Sequence, residues 1–301
     1  MPQQIIIHNP GSGSGDHDKN IRRRAKELGY ALEQTGTAGE AVSLTAKAAE
    51  AGFSTIVAAG GDGTVNEVLR GIDQASAFED VELGILPLGT GNNFAEQIGI
   101  SDIDTAFAVL EDGDRRRIDL GYANERLFVN SCVAGLTAES SSETPSAMKR
   151  QFGVLAYVLT TLRTVSDFES LRLTVNIDHA GLERIAWAGD ALSVLVGNGR
   201  RYSTSGTSQA NMEDGLLDVV VIEDVAALDL MSDTVIERLL GRESEAIKRF
   251  KTPSLEIAIN NPDATRFSLD GEIIRERDLS ISVTPQVLTV AVGETYEPTP
   301  E

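Results

Sequence analysis

The residues best suited to chemistry form one glycine-rich segment around an aspartate, Gly60-Gly61-Asp62-Gly63-Thr64-Val65-Asn66-Glu67. A β-branched run at 55–59 precedes it and helix-spaced apolar residues follow it, which predicts a junction between a strand and a helix. Glycines at such a junction let main-chain amides approach a phosphate, and the helix N-terminus favours its charge. Asp62 adds a carboxylate for a phosphate-bound Mg²⁺. A plain turn with Asp62 as N-cap would need fewer glycines, so we predict phosphate binding here.

Two further loops leave strand-like runs in the same way. One of them, Asn9-Pro10-Gly11-Ser12-Gly13, follows residues 5–7, and the other, Pro87-Leu88-Gly89-Thr90-Gly91-Asn92-Asn93-Phe94, follows residues 83–86. Neither loop completes a dinucleotide fingerprint or a Walker A motif. Loops at the carboxyl ends of parallel strands converge at one edge of a sheet. The three loops are therefore predicted to line one phosphate site.

The elements that must position these loops alternate between strands and helices. Strand-like runs lie at 5–7, 30–34, 55–59 and 83–86, with helical stretches at 18–28 and 38–51. This alternation predicts an α/β nucleotide domain, residues 1–122, with an open and mostly parallel sheet.

The pattern changes after Asp119-Leu120-Gly121. Strand-like runs at 126–133, 170–178, 191–197 and 216–222 predict a β-rich, sandwich-like second domain, residues 123–301. Helical stretches at about 147–165 and 226–238 interrupt it. A last strand, at about 287–292, is expected to pack back on the first domain.

The composition excludes several classes of protein. With 46 acidic and 26 basic side chains among 301 residues the net charge is −20, which excludes a nucleic-acid binder with a basic face. The single Cys132 forms no intrachain disulfide, and three scattered histidines offer no zinc cluster. Apolar runs fall short of the ~18–20 residues that a transmembrane segment needs. We therefore expect a cytoplasmic protein, at most peripheral to the inner membrane face.

The charge also bears on the cellular salt concentration. Arginine outnumbers lysine among the basic residues, and an acidic, lysine-poor surface keeps a protein soluble in molar salt. A high-salt cytoplasm is one hypothesis, and an ordinary acidic enzyme is the other. A melting temperature that rises steeply with KCl favours the first.

The motifs together resemble the diacylglycerol kinase catalytic domain family of lipid kinases, whose relatives include bacterial and archaeal diacylglycerol, phosphatidylglycerol and sphingosine kinases. The resemblance rests on Asn-Pro-x-Ser-Gly, Gly-Gly-Asp-Gly-Thr-x-Asn-Glu and Pro-Leu-Gly-Thr-x-Asn. It covers nearly the whole chain, continuing through Phe128-x-Asn130, Gly197-Asn198-Gly199, Asp214-Gly215-Leu216-Leu217-Asp218 and Asp270-Gly271-Glu272. It implies an ATP-dependent transfer of the γ-phosphate of Mg-ATP to the hydroxyl of a membrane lipid.

The resemblance also implies roles for individual residues. A metal site of structural type is implied at Asp214 with the carbonyls of Asn211 and Leu216, and such oxygen ligands suit Mg²⁺. The base that deprotonates the lipid hydroxyl is implied at Asp270 or Glu272, between which the sequence does not choose. The positions that match ATP-binding residues of the family are Asn9, Pro10, Gly11, Ser12, Gly13, Thr35, Gly61, Asp62, Gly63, Thr64, Val65, Asn66, Glu67 and Thr90.

The acidic pair has a second interpretation. In an extended strand, Asp270 and Glu272 would point to the same face, which suits either base or a shared proton. Asp-Gly is also a common hairpin turn. The family context favours the catalytic interpretation.

Some features leave alternatives open. Asn92-Asn93 stands where many relatives have Asn-Asp. The stretch 199–206 is polar where relatives are glycine-rich, so its Arg200 and Arg201 face a phosphate, a lipid headgroup or solvent. The uncharged stretch 151–162 suits a membrane surface or core packing. An NAD kinase-like activity, which would share Gly-Gly-Asp-Gly, and a non-catalytic nucleotide sensor are the alternative functions. A homodimer is left open.

Overall fold

The computed structural model describes residues 3–13, 17–135, 170–178, 185–202, 209–224 and 246–300. The chain divides into two compact units, Met1–Leu120 with Pro285–Glu297, and Gly121–Thr284 with Pro298–Glu301. The predicted fold class is confirmed, because the first unit is α/β with parallel strands and the second is β-rich and sandwich-like. The helices expected at 147–165 and 226–238, and the stretch 151–162, lie outside the described residues.

The first unit contains a parallel sheet. Its strands are β1 (Gln3–His8), β2 (Ala31–Gln34), β3 (Phe53–Gly60), β4 (Glu82–Pro87) and the end of β15 (Asp278–Val292), in the order β15-β4-β3-β1-β2. All four pairings are parallel, with Ile5 beside Ala31 on one side and Ile56 on the other. Continuous apolar runs such as residues 5–7 are buried, as expected for strands that are covered on both faces.

Five described helices belong to this unit. The buried positions of α3 recur at helical spacing, with Val65, Val68, Leu69 and Ile72 inward. The second helix begins after Gly39, whose φ of 81° is left-handed, so it is shorter than the predicted 38–51. The helices are α1 (Asp18–Leu28), α2 (Glu40–Glu50), α3 (Asp62–Gln74), α4 (Asn93–Gln97) and α5 (Ile103–Asp112).

The second unit is built from antiparallel strands. At its centre, β9 pairs with β7, β8 and β10, and β13 pairs with β7 and β14. Alternate residues of β8, namely Leu173, Val175 and Ile177, point into the core. Two strands, β5 (Asp114–Ala123) and β15, run through the boundary between the units. The strands that lie wholly in the second unit are β6 (Arg126–Phe128), β7 (Ser131–Gly135), β8 (Leu171–Asp178), β9 (Ile185–Gly197), β10 (Leu217–Glu223), β11 (Ile247–Thr252), β12 (Ser254–Ile259), β13 (Thr265–Leu269) and β14 (Glu272–Glu276).

One strand prediction is wrong in detail. The run 126–133 is divided into β6 and β7, with Val129 and Asn130 between them. Both main-chain amides of these two residues donate to the carboxylate of Asp270, so they are withdrawn from a strand ladder. No helix among the described residues is long and apolar enough to cross a membrane.

Candidate phosphate site and acidic hairpin

Three loops adjoin at the carboxyl edge of the parallel sheet in the first unit: the first loop is 9–13, the second is 60–67 and the third is 87–94. A Cβ atom on Gly89 would lie 2.5 Å from the Cα of Gly61, so the second and third loops touch backbone to backbone. A Cβ atom on Gly13, where φ is +61°, would lie 2.1 Å from the carbonyl oxygen of Leu88. Glycine is therefore required at both approaches. The predicted convergence of these loops is a consequence of the parallel strand order.

A side-chain hydrogen bond of Asn9 joins the first loop to the second. Asn9 donates from Nδ2 to Oγ1 of Thr64 over 3.2 Å, and its own Oδ1 accepts from the amide of Gly11 over 3.0 Å. Asn9 thus shapes its own turn and at the same time contacts the start of α3. Thr64 is buried, so its side chain contributes to the packing of the junction.

Asp62 joins the second loop to the third. Its Oδ2 accepts from the amide of Asn93 at 3.0 Å and from Nδ2 of Asn93 at 2.8 Å, while its Oδ1 accepts from the amide of Phe94 at 3.0 Å. The third loop is also closed internally, because Asn92 both accepts from the amide of Gly89 and donates to its carbonyl oxygen, each over 2.9 Å. Asp62 is held in a defined orientation by this loop.

The other predicted residues of α3 have distinct environments. Val65 is buried in the core, so its side chain is unavailable to a ligand. Asn66 is 8% exposed, and its Oδ1 is buried with no hydrogen-bond partner within the described part of the chain. Glu67 accepts from the amide of Gly39 over 3.0 Å, which places its carboxylate at the start of α2. Of these three side chains, only Asn66 has a buried polar atom without a hydrogen-bond partner among the described residues.

Two predicted residues lie on neighbouring loop tips. Thr35 follows β2, is buried, and donates its amide to the carbonyl oxygen of His8 over 2.9 Å. Thr90 is exposed in the third loop. Each follows a strand of the same parallel sheet, and therefore lies at the same edge as the glycine loops.

A polar cluster that the sequence did not reveal surrounds His8 at the end of β1. Nδ1 of His8 is 3.1 Å from Nε2 of Gln34, its register partner on β2, and Gln34 also donates to Asp18. Burial lowers the pKa of His8; the charges of Arg22 and His17 add to this, and that of Asp18 opposes it. The only sequence signal for this cluster is that His8 and Gln34 are polar residues at the ends of two strands that pair in parallel.

The acidic pair of the second unit lies at a hairpin. Asp270 has φ of +48° and Gly271 has φ of +99°, and the two connect β13 to β14 as a two-residue turn. Asp is one of the few residues other than Gly that adopts the left-handed region readily. The expectation that Asp270 and Glu272 share one face of an extended strand is wrong, because Asp270 is in the turn.

The two carboxylates have different partners. Asp270 accepts three main-chain hydrogen bonds, from Val129 at 2.6 Å, Asn130 at 3.0 Å and Ser131 at 2.7 Å. The side chain of Glu272 is 51% exposed and lies 3.8 Å from Nη1 of Arg126. Asp270 is thus engaged in holding the chain between β6 and β7, whereas Glu272 faces solvent.

The residues of the implied metal site lie together in the loop before β10. Asp214 accepts from the amide of Leu216 over 3.0 Å, and its other oxygen is 3.1 Å from Nζ of Lys251. The side chain of Asn211 accepts from the amide of Glu213 over 2.9 Å. Among the described residues, no three His, Cys, Asp or Glu side chains form a metal-binding group. A divalent cation at Asp214 would compete with the ammonium of Lys251.

The first unit fits a nucleotide phosphate group. Gly63, in the first turn of α3, is exposed and a Cβ there would meet open space, so its main chain is accessible to a phosphate. Asp62 fits a metal that arrives with phosphate oxygens, since Mg²⁺ is commonly held by one or two carboxylates together with substrate phosphates. Fold and site thus define an α/β unit with a junction of three glycine-rich loops, joined in sequence to a β-rich unit.

Comparison with known proteins identifies the family. The diacylglycerol kinase catalytic domain matches residues 3–123, and the YegS C-terminal NAD kinase beta sandwich-like domain matches residues 130–292. The chain is 32% identical over 296 residues to a Pseudomonas aeruginosa protein named "Probable lipid kinase YegS-like", covering 95% of this chain and 92% of that one. It is 30% identical over 256 residues to "Probable lipid kinase YegS" of Escherichia coli, covering 83% and 82%. The chain belongs to the YegS-like family of probable lipid kinases.

Solved structures agree on the fold. A diacylglycerol kinase structure from Bacillus anthracis has a TM-score of 0.73 at 20% identity, covering 98% of each chain. Two further structures from the same organism have TM-scores of 0.77 and 0.76 at 24% and 23% identity. At these identities the likeness concerns the fold alone.

Proposed function

We propose that this protein is an ATP-dependent kinase that phosphorylates the hydroxyl of a membrane lipid of the diacylglycerol type. The lipid oxygen forms a bond to the γ-phosphorus of ATP, the bond from that phosphorus to the β,γ-bridging oxygen breaks, and ADP leaves. The hydroxyl proton passes to a carboxylate of the protein. The observation that carries the proposal is the junction of three glycine loops around Asp62 in a chain of this family.

The first unit supplies the nucleotide site. Main-chain amides at the start of α3 and the adjoining loops suit the phosphates, and Asn9 and Thr64 maintain the shape of the junction. Bound Mg²⁺ would neutralise charge on the phosphates, and Asp62 is the side chain that we assign to hold it. Catalysis of phosphoryl transfer depends chiefly on such positioning and charge neutralisation.

Glu272 is the better candidate for the base. A general base needs a lone pair that can reach the hydroxyl proton. Asp270 already accepts three main-chain hydrogen bonds, and a carboxylate has about four lone-pair sites in total. The side chain of Glu272 is 51% exposed, and its carboxylate lies 3.8 Å from Nη1 of Arg126. We therefore assign proton acceptance to Glu272 and a positioning role to Asp270.

The lipid acceptor is supported by the family rather than by a described apolar cavity. The relatives at 30–32% identity, which this chain matches along most of their length, are named probable lipid kinases. The choice among lipids is a matter for experiment. A total lipid extract, diacylglycerol and phosphatidylglycerol are the acceptors to compare.

The test is transfer of labelled phosphate from ATP in Mg²⁺, at low and at molar KCl, with each lipid acceptor in mixed vesicles and with NAD in a parallel reaction. We expect a labelled lipid with the wild type, and loss of labelling with Asp62→Asn and Glu272→Gln. Asp80→Asn and Glu276→Gln are the matched controls, since they remove carboxylates outside the assigned site and should retain activity. Labelling of NAD but of no lipid would show an NAD kinase-like enzyme. Binding of ATP without any transfer would show a nucleotide sensor, and either result contradicts the proposal.

A further inference from the structure

The carboxylate of Asp62 is satisfied by N–H donors from a single short segment. Three of its roughly four lone-pair sites accept from the amide of Asn93, the side-chain Nδ2 of Asn93 and the amide of Phe94, at 2.8–3.0 Å. The two main-chain donors would be available with any residue at position 93. The contact at 2.8 Å depends on the amide side chain of Asn93.

The type of side chain at position 93 determines the net charge at the junction of the second and third loops. A neutral amide donor beside a carboxylate leaves one negative charge, which the neighbouring N–H dipoles already stabilise. An acidic side chain in the same position would place a second carboxylate oxygen where the donor now lies. Two carboxylates at contact distance need a cation or a shared proton between them. Asn93 thus does at this junction what a cation would otherwise have to do.

The same geometry governs when a metal can bind. Divalent cations with oxygen ligands are held by several anionic or carbonyl oxygens together. Asp62 alone, with three donors already on it, is a poor site for such an ion until phosphate oxygens arrive. We propose that Asn93 is a positioning residue that replaces a cation at Asp62, an inference that rests on the proposed function. This protein then takes up its catalytic metal only together with nucleotide.

Mn²⁺ binding to the full-length protein tests this inference, because the signal of free Mn²⁺ in electron paramagnetic resonance disappears when the ion is bound. Titrations are compared for the wild type, Asn93→Asp, Asn93→Ala and Asp62→Asn, each with and without ATP. Without ATP, we expect Asn93→Asp to bind one Mn²⁺ per chain more than the wild type, at an Mn²⁺ concentration at least about tenfold below that at which any ion binds to Asp62 in the wild type. Asn93→Ala loses the same hydrogen bond but adds no charge, and should gain no ion. The gained site should vanish in the double variant with Asp62→Asn.

Thermal unfolding gives a second measurement that does not depend on activity. Asn93→Asp should melt below the wild type in chelator and recover on addition of Mn²⁺. Asn93→Ala should also melt lower but should not recover. Equal behaviour of the two variants toward Mn²⁺ would overturn the inference.

The comparison of wild type with Asp62→Asn decides the question even if Asn93→Asp fails to fold. Without ATP, the two proteins should bind Mn²⁺ equally, because Asp62 recruits no ion alone. Any Mn²⁺ uptake by the wild type that requires Asp62 in the absence of nucleotide would refute the inference. With ATP, the wild type should bind more Mn²⁺ than Asp62→Asn. Failure of the wild type to bind ATP at all would instead contradict the proposed function, and the nucleotide-free titrations would still judge the role of Asn93.

Discussion

Separate replacement of Asp270 and Glu272 should affect different properties of the protein, stability in the first case and activity in the second. Asp270→Ala removes the acceptor of three main-chain hydrogen bonds from residues 129–131 and puts alanine at φ of +48°. Glu272→Ala removes a side chain that is 51% exposed and 3.8 Å from Arg126. The first change should destabilise the second unit, and the second change should spare its stability but abolish catalysis.

The magnitudes follow from these contacts. Each partly buried amide that loses its acceptor costs about 1 kcal/mol, the low end for unsatisfied groups, so three cost about 3 kcal/mol. The left-handed backbone adds about 1 kcal/mol for alanine but not for glycine. Asp270→Asn retains one oxygen and a side chain that tolerates this conformation, so it should cost about 1–2 kcal/mol. Glu272→Ala should stay within about 0.5 kcal/mol, the usual range for an exposed ion pair.

Urea unfolding can be followed by the fluorescence of Trp187, the single tryptophan of the chain. Trp187 lies on β9 in the second unit and donates from Nε1 to Glu223 over 2.7 Å, so it reports the unit that holds the hairpin. We expect stability to fall in the order wild type, Asp270→Asn, Asp270→Gly, Asp270→Ala. Glu272→Gln should unfold like the wild type and lose about 10²–10⁴-fold in transfer rate. Wild-type stability of Asp270→Ala, or full activity of Glu272→Gln, would refute the assignment of roles.

Three further outcomes are expected. Gly89→Ala should lower ATP affinity and the melting temperature together, since its Cβ would lie 2.5 Å from the Cα of Gly61, and isothermal titration with thermal unfolding measures both. Lys251→Met should increase the gain in melting temperature on adding Mg²⁺, because it frees the oxygen of Asp214 that now lies 3.1 Å from the ammonium; an unchanged Mg²⁺ response would show that no cation binds there. Burial holds the pKa of His8 below its usual 6.5, so the unfolded chain takes the proton first as the pH falls. The free energy of unfolding should therefore decrease below about pH 6.5. His8→Gln should flatten this part of the profile of unfolding free energy against pH, and an unaltered profile would contradict the reasoning.

Much of the first unit was predictable because its signals are local. Strand runs followed by glycine loops determine where the chain turns, and parallel pairing brings the loop ends to one edge. Helix α1 was predicted with its observed bounds, since an apolar spacing and a terminal glycine are both readable in the sequence. The phosphate-binding residues themselves remain predictions from the family resemblance.

Side-chain partners across long stretches of sequence were not predictable. Glu67 matched a nucleotide-binding position, yet its carboxylate accepts from the amide of Gly39 at the start of another helix. Lys251 lies next to Asp214 because β11 pairs with β10 in a register that puts Lys251 opposite Asp218. Neither contact has a local pattern, since each depends on which elements are neighbours.

The acidic hairpin of Asp270 and Glu272 shows most clearly what the sequence determines and what only the tertiary structure determines. The order of residues was enough to place Asp270 and Glu272 two positions apart and to point to a carboxylate base. Only the tertiary structure distinguished them, because amides about 140 positions earlier in the chain reach Asp270 and not Glu272. Local sequence determines backbone preference and hydrophobic pattern, whereas the partner of a carboxylate is decided by strand register, which brings distant donors within hydrogen-bonding distance.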